Sequence, residues 1–199
     1  MGLTPAQQAR IKRKIANIKA ALAADKKQWG GYHRDGRGLR YTIPALYIQL
    51  EDYKGGLSYL NWFKKTFPDD ICFPEFLFEW TIILFKTRRL KAAEKKAFET
   101  FCGNTYLFQK YFLHEIVQMK KREWSNLENT DYALNWFQYT CEMENLGDFS
   151  TWLESVVQSE KFQCLANEFV EIHKRLLHVT DQKTRSGLLS EARALRNQY

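Results

Sequence analysis

Apolar residues recur every three or four positions along almost the whole chain, and no segment alternates convincingly with period two. The pattern predicts about ten helices, no strand and therefore an all-α fold. The first helix opens at Thr4-Pro5-Ala6-Gln7, where Thr suits the N-cap, Pro the first turn and Gln the capping-box position. Its stripe is Ile11, Ile15, Ile18 and Leu22, and Gly30-Gly31 stops it. Residues 30–38 hold four of the ten glycines and read as a loop. A helical segment then runs to about Leu50, starting or kinking at Pro44. Asp52 suits the N-cap of the next helix, with Tyr53, Leu57, Leu60, Phe63 and Phe67 on one face and Pro68 at its end.

Pro74 starts a helix that is apolar almost all round (Phe76, Leu77, Trp80, Ile83, Leu84), which marks it as central and buried. Leu90, Ala93, Ala97 and Phe101 pattern the next one, stopped at Gly103-Asn104. Further helices are expected at about 105–122, 131–145, 149–158, 161–178 and 182–197. Connections are short, so neighbouring helices are expected to pack antiparallel.

Charge changes the picture at one end only. The formal net charge is +7. Residues 1–40 carry ten basic side chains against Asp25 and Asp35, so this stretch is +8 and the rest of the chain is close to neutral. A cationic end favours acidic partners: nucleic acid, an acidic peptide or an anionic surface. A solvated helix face explains such a run equally simply.

The four cysteines (72, 102, 141, 164) are widely spaced, form no CxxC and sit in or beside apolar segments. They are expected to be buried thiols in a reducing compartment. No secretory leader pattern is present, and the most apolar stretch, 76–85, is too short to span a bilayer. The expected location is cytoplasmic. His33, His114, His173 and His178 form no ligand pattern, so no metal or cofactor is expected. No acid pair sits beside a candidate nucleophile, which argues against an enzyme.

Residues 37–70 resemble one tetratricopeptide repeat, a helix–turn–helix unit of about 34 residues. The likeness rests on Tyr47, the turn Leu50-Glu51-Asp52-Tyr53 (normally Leu-Gly-Asp-Tyr), small Gly56, Leu60 and the closing Pro68. Arg40 stands where Trp is usual, and Pro44 where Gly is usual. A weaker unit covers 74–104, with Leu90 after the turn and Ala93 and Ala97 at small positions. Leu146-Gly147-Asp148-Phe149 resembles the same turn, although Trp152 falls where Ala belongs. The resemblance implies a right-handed stack of antiparallel helix pairs, a short α-solenoid over residues 30–199, preceded by the basic amphipathic helix 1–29. It also implies a non-enzymatic adaptor whose concave face holds a peptide or helix of a partner protein.

The expected contact residues are His33, Arg34, Arg37, Arg40 and Tyr47. Glycines in the loop permit close backbone approach, and arginines present planar forks to carboxylate or phosphate. The competing structural reading is a plain connection in which Asp35 pairs internally with an Arg. A second functional reading is nucleic-acid binding through the first forty residues. A third is a small helical enzyme acting on a phosphorylated substrate through this loop. A fourth is self-association through the Ile/Leu stripe of 11–22.

Overall fold

A computed structural model describes residues 2–199. Among them are ten α-helices, two single 3-10 turns and no strand. Among the described residues no helix is long and apolar enough to cross a membrane. The chain divides into two compact units, Met1–Arg89 and Leu90–Tyr199.

The first unit holds α1 (Pro5–Gln28), a 3-10 turn (Leu39–Tyr41), α2 (Ile43–Gln49), α3 (Tyr53–Thr66) and α4 (Pro74–Lys86). Helix α1 starts with the expected capping box: the Gln7 N–H donates to Thr4 Oγ1, and the Thr4 N–H donates to Gln7 Oε1 at 2.8 Å. Only Ile15, Ile18 and Leu22 of α1 are buried, against α2 and the 3-10 turn. Pro44 neither kinks nor breaks a helix. It sits in the first turn of α2, where its missing N–H costs nothing. Asp52 caps α3 by accepting from the Gly55 N–H at 2.9 Å.

Helix α4 is the predicted central one, buried on nearly every side. Thr81 is tolerated there because its hydroxyl donates to the Leu77 carbonyl four residues back, and Thr87, the C-cap, likewise donates to the Ile83 carbonyl. Gly56 lies where α3 crosses its neighbours: a Cβ would come within 2.9 Å of Ile83 Cδ1 and 3.3 Å of Tyr47 Cβ. Tyr41, Phe63, Phe67, Phe76 and Trp80 form one ring cluster.

Three helix ends in this unit share one design. After α2, Glu51 adopts φ +54 and the Asp52 N–H donates to the Tyr47 carbonyl. After α4, Arg88 adopts φ +61 and the Arg89 N–H donates to the Leu84 carbonyl. Both are Schellman closures, built on a non-glycine residue in the left-handed region. The same closure follows α1, where Gly30 is left-handed and the Gly31 N–H reaches the Lys26 carbonyl. Gly147, by contrast, has φ −58 and begins a helix, so the stretch 146–149 does not form the turn found at 50–53.

The second unit holds α5 (Leu90–Gly103), α6 (Leu107–Tyr111), α7 (Thr130–Asn135), a 3-10 turn (Glu144–Leu146), α8 (Gly147–Gln158), α9 (Glu160–Arg175) and α10 (Gln182–Gln198). Helix α9 packs on α5, α8 and α10. Its buried stripe is Phe162, Leu165, Ala166, Phe169, Ile172 and His173. Ser159 and Asp181 cap α9 and α10.

The helices expected at 105–122 and 131–145 are short. Helix α6 closes at left-handed Leu113, where the His114 N–H donates to the Gln109 carbonyl. Beyond α7, Phe137 and Tyr139 are both buried while Trp136 and Gln138 are exposed. That two-residue spacing suits an extended chain and not a helix. Nor are the cysteines uniformly buried. Cys102 is buried, Cys72 and Cys141 are partly covered and Cys164 is exposed, because it lies off the α9 stripe between Phe162 and Leu165.

Candidate interaction surface

The loop between α1 and α2 is organised by carboxylates. Asp25, near the end of α1, accepts the Arg34 and Asp35 N–H groups at 2.8 and 3.1 Å. Asp35 is buried and accepts three times: from Leu39 N–H (2.9 Å), Arg40 N–H (3.0 Å) and Arg40 Nη1 (3.0 Å). The Arg40 guanidinium also donates through Nε to Asp70 (3.0 Å) and through Nη2 to the Tyr41 hydroxyl (2.8 Å). Tyr41 in turn donates to Asp70 at 2.7 Å, and the Tyr59 hydroxyl donates to the Arg40 carbonyl at 2.6 Å. Burial lowers the Arg40 pKa, but Asp35 and Asp70 outweigh it and the net direction is up. Burial, aided by Asp70, holds the Tyr41 phenol protonated well above its ordinary range.

The five expected contact residues therefore divide. Arg40 spends its guanidinium on two internal carboxylates and two ring faces, Tyr41 and Phe67. Tyr47 is buried, and its hydroxyl accepts from Lys19 Nζ at 2.9 Å. His33 is half-buried against Trp62 and Phe67, and its Nδ1 has no hydrogen-bond partner. Arg34 and Arg37 remain exposed. Arg34 lies over Trp29 with its guanidinium carbon 4.5 Å from the ring centroid. Trp29 is 42% exposed and Tyr32 80% exposed. One short loop thus presents two large aromatics and two arginines to solvent.

The second unit holds a constellation the sequence did not announce. Lys121 and Glu128 form an ion pair with both side chains fully buried. The Trp124 N–H donates to the second Glu128 oxygen at 2.9 Å, and the Lys121 ammonium lies 5.3 Å from the Tyr106 ring centroid. Burial raises the Glu128 carboxyl above its usual range, while Lys121 and the Trp124 N–H pull the other way. Side-chain clamps hold the surrounding irregular segment. Asn104 Nδ2 donates to the Leu127 and Asn129 carbonyls, and Trp124 Nε1 to the Cys102 carbonyl. Arg122 N–H donates to the His173 carbonyl, and His173 Nδ1 pairs with the Arg122 carbonyl at 3.0 Å. Lys121 and Glu128 are seven apart in a non-helical stretch, so no periodicity points to them. His173 did carry a signal, since it lies four residues beyond Phe169 on the α9 stripe.

Burial lowers the His173 pKa below its ordinary 6.5, as do the nearby charges of Lys121, Arg122 and Arg196, while the Arg122 carbonyl opposes them. The folded state therefore keeps this ring neutral where the unfolded chain already binds a proton. Stability is lost as pH falls from about 6.5 toward the lowered value. Thermal unfolding followed over this window should show a falling midpoint, and His173→Asn, which keeps a donor toward Arg122, should flatten the fall. An unchanged pH profile in that variant would remove His173 as its source.

No group of three or more potential metal ligands occurs among the described residues. Comparison with family models, with curated proteins and with solved structures gives no match.

Proposed function

We propose that the chain is a non-enzymatic protein-interaction adaptor built on tetratricopeptide-like helix pairs. The repeat reading is supported by the paired closures after α2 and α4. Glu51 and Arg88 stand 37 positions apart, and each is followed five residues later by a small buried residue, Gly56 or Ala93. At Gly56 the absent side chain lets α3 approach α2 and α4 closely, as packed helix pairs require.

The observation that carries the function is the exposed Trp29, Tyr32, Arg34 and Arg37 cluster. Trp, Tyr and Arg are the side chains that anchor protein interfaces, and Arg34 is pre-positioned on the Trp29 ring. The arginines favour a partner segment bearing carboxylates. The contact surface is thereby narrowed to Arg34 and Arg37, with Arg40, Tyr47 and His33 shaping the loop from beneath.

The test is affinity capture on the full chain after nuclease treatment, comparing the parent with Trp29→Ala. A stoichiometric protein should be retained by the parent. The variant should bind it at least about 30-fold more weakly, as expected for an anchoring Trp, with an unchanged melting temperature. Equal capture by both chains, or no stoichiometric protein, would overturn the proposal.

A further inference from the structure

We infer that α1 is a docking arm for duplex DNA, held through the phosphate backbone by the face that turns away from the first unit. Successive residues on a helix are 100° apart. The buried Ile15, Ile18 and Leu22 occupy one side. The opposite side carries Ala9, Ala16, Ala20 and Ala24 with Arg13 and Lys27, all exposed. Arg10 and Lys14 border it on one flank, and Lys12 on the other. Before Ile15 no α1 side chain is buried and Ile11 alone is partly covered, so the other side chains of the first ten helical residues are exposed. The only acid in α1, Asp25, is occupied by the Arg34 and Asp35 amides.

Three features of this face select the partner. Positive charge on both flanks and along the middle opposes a second copy of α1 and favours an anionic polymer. The outward side has no large apolar side chain to enter a lipid layer or to anchor in a protein pocket, unlike the loop at Trp29. Alanines keep the face narrow, so a cylinder of about 10–12 Å fits a B-form major groove of about 12 Å while flanking cations reach phosphates on both sides. Helix α1 is about 36 Å long, roughly one turn of duplex. The narrow major groove of A-form RNA does not admit it. Phosphate contacts dominate this arrangement, so the expected binding is salt-dependent and weakly sequence-selective.

The experiment is fluorescence anisotropy of a labelled 20-base-pair DNA duplex with the full chain, across a salt series. About four phosphate contacts predict a log–log salt slope of about −3.6. Combined Arg10→Gln, Arg13→Gln and Lys14→Gln should weaken binding at least about tenfold and flatten the slope. Ala20→Trp keeps the charge but adds bulk in the middle of the face, and should also weaken binding. All these positions are exposed, and unchanged circular dichroism and melting confirm that the fold persists. Trp29→Ala, which tests the protein-binding reading, should leave DNA affinity unchanged, so either proposal can fail alone. No binding at low salt, equal binding by the variants, equal affinity for an RNA duplex, or equally effective competition by a polyglutamate peptide would each overturn the inference.

Discussion

Lys121→Met should destabilise the second unit by about 3–5 kcal/mol, because it strands a charged Glu128 in a fully buried site. The loss is not the strength of the ion pair. It reflects mostly the cost of keeping an uncompensated carboxylate out of water, which the single Trp124 N–H cannot offset. A second variant separates these terms. Lys121→Met with Glu128→Leu removes both charges and should recover most of the loss, since apolar replacement of a buried pair is often neutral or stabilising. Hydrogen exchange resolved by segment is the suitable readout, because a chain with two units need not unfold in one step. Protection should fall across 112–129 and α9 while α2–α4 stay protected. If Lys121→Met alone costs under about 1 kcal/mol, the site is hydrated and the buried-pair account fails.

Phe63→Ala should cost the first unit about 3–5 kcal/mol. The ring is 1% exposed and lies 4.7 Å from Phe76, 5.2 Å from Phe67, 6.0 Å from Trp80 and 6.1 Å from Tyr41. Rigid neighbours on every side leave little room for collapse, so the removed ring becomes a cavity. The consequence reaches the candidate surface. Tyr41 packs on Phe63 and also accepts from Arg40 and donates to Asp70. The loop 33–41 should therefore lose exchange protection together with α3. Phe63→Leu, which retains much of the volume, should be milder. A destabilised α3 with a fully protected loop would separate the aromatic cluster from the Asp35–Arg40–Asp70 network.

Much of the candidate surface was visible as composition but not as arrangement. The arginine-rich glycine loop stood out among residues 30–40, yet nothing local distinguishes Arg34 and Arg37 from Arg40. Their fates part because Asp35 takes the Arg40 Nη1 at 3.0 Å, the internal pairing the competing reading allowed, and Asp70, thirty residues later, comes within 3.0 Å of Arg40 Nε. Tyr47 likewise looked available until Lys19 and the α1–α2 packing covered it. The turn at Glu51 was legible through its neighbours Leu50, Asp52 and Tyr53. That Arg88 and Leu113 close helices in the left-handed region was not, because neither is a residue that favours it.

Local rules sufficed where the determinants lie within a few residues of each other. The capping box at Thr4, the caps at Asp52, Ser159 and Asp181, the Pro starts of α2 and α4 and the stripes of α1, α3, α4 and α9 are all i to i+3 or i+4 relations. The sequence alone therefore determined the all-helical class and most helix starts. Tertiary structure decided the rest: where α6 and α7 stop, how the segment 112–129 is pinned, which arginine stays free and that Lys121 meets Glu128. Most of those outcomes depend on partners outside helical spacing, from seven residues for Lys121–Glu128 to 51 for Arg122–His173, and on which groups lose water, quantities that the apolar period does not encode.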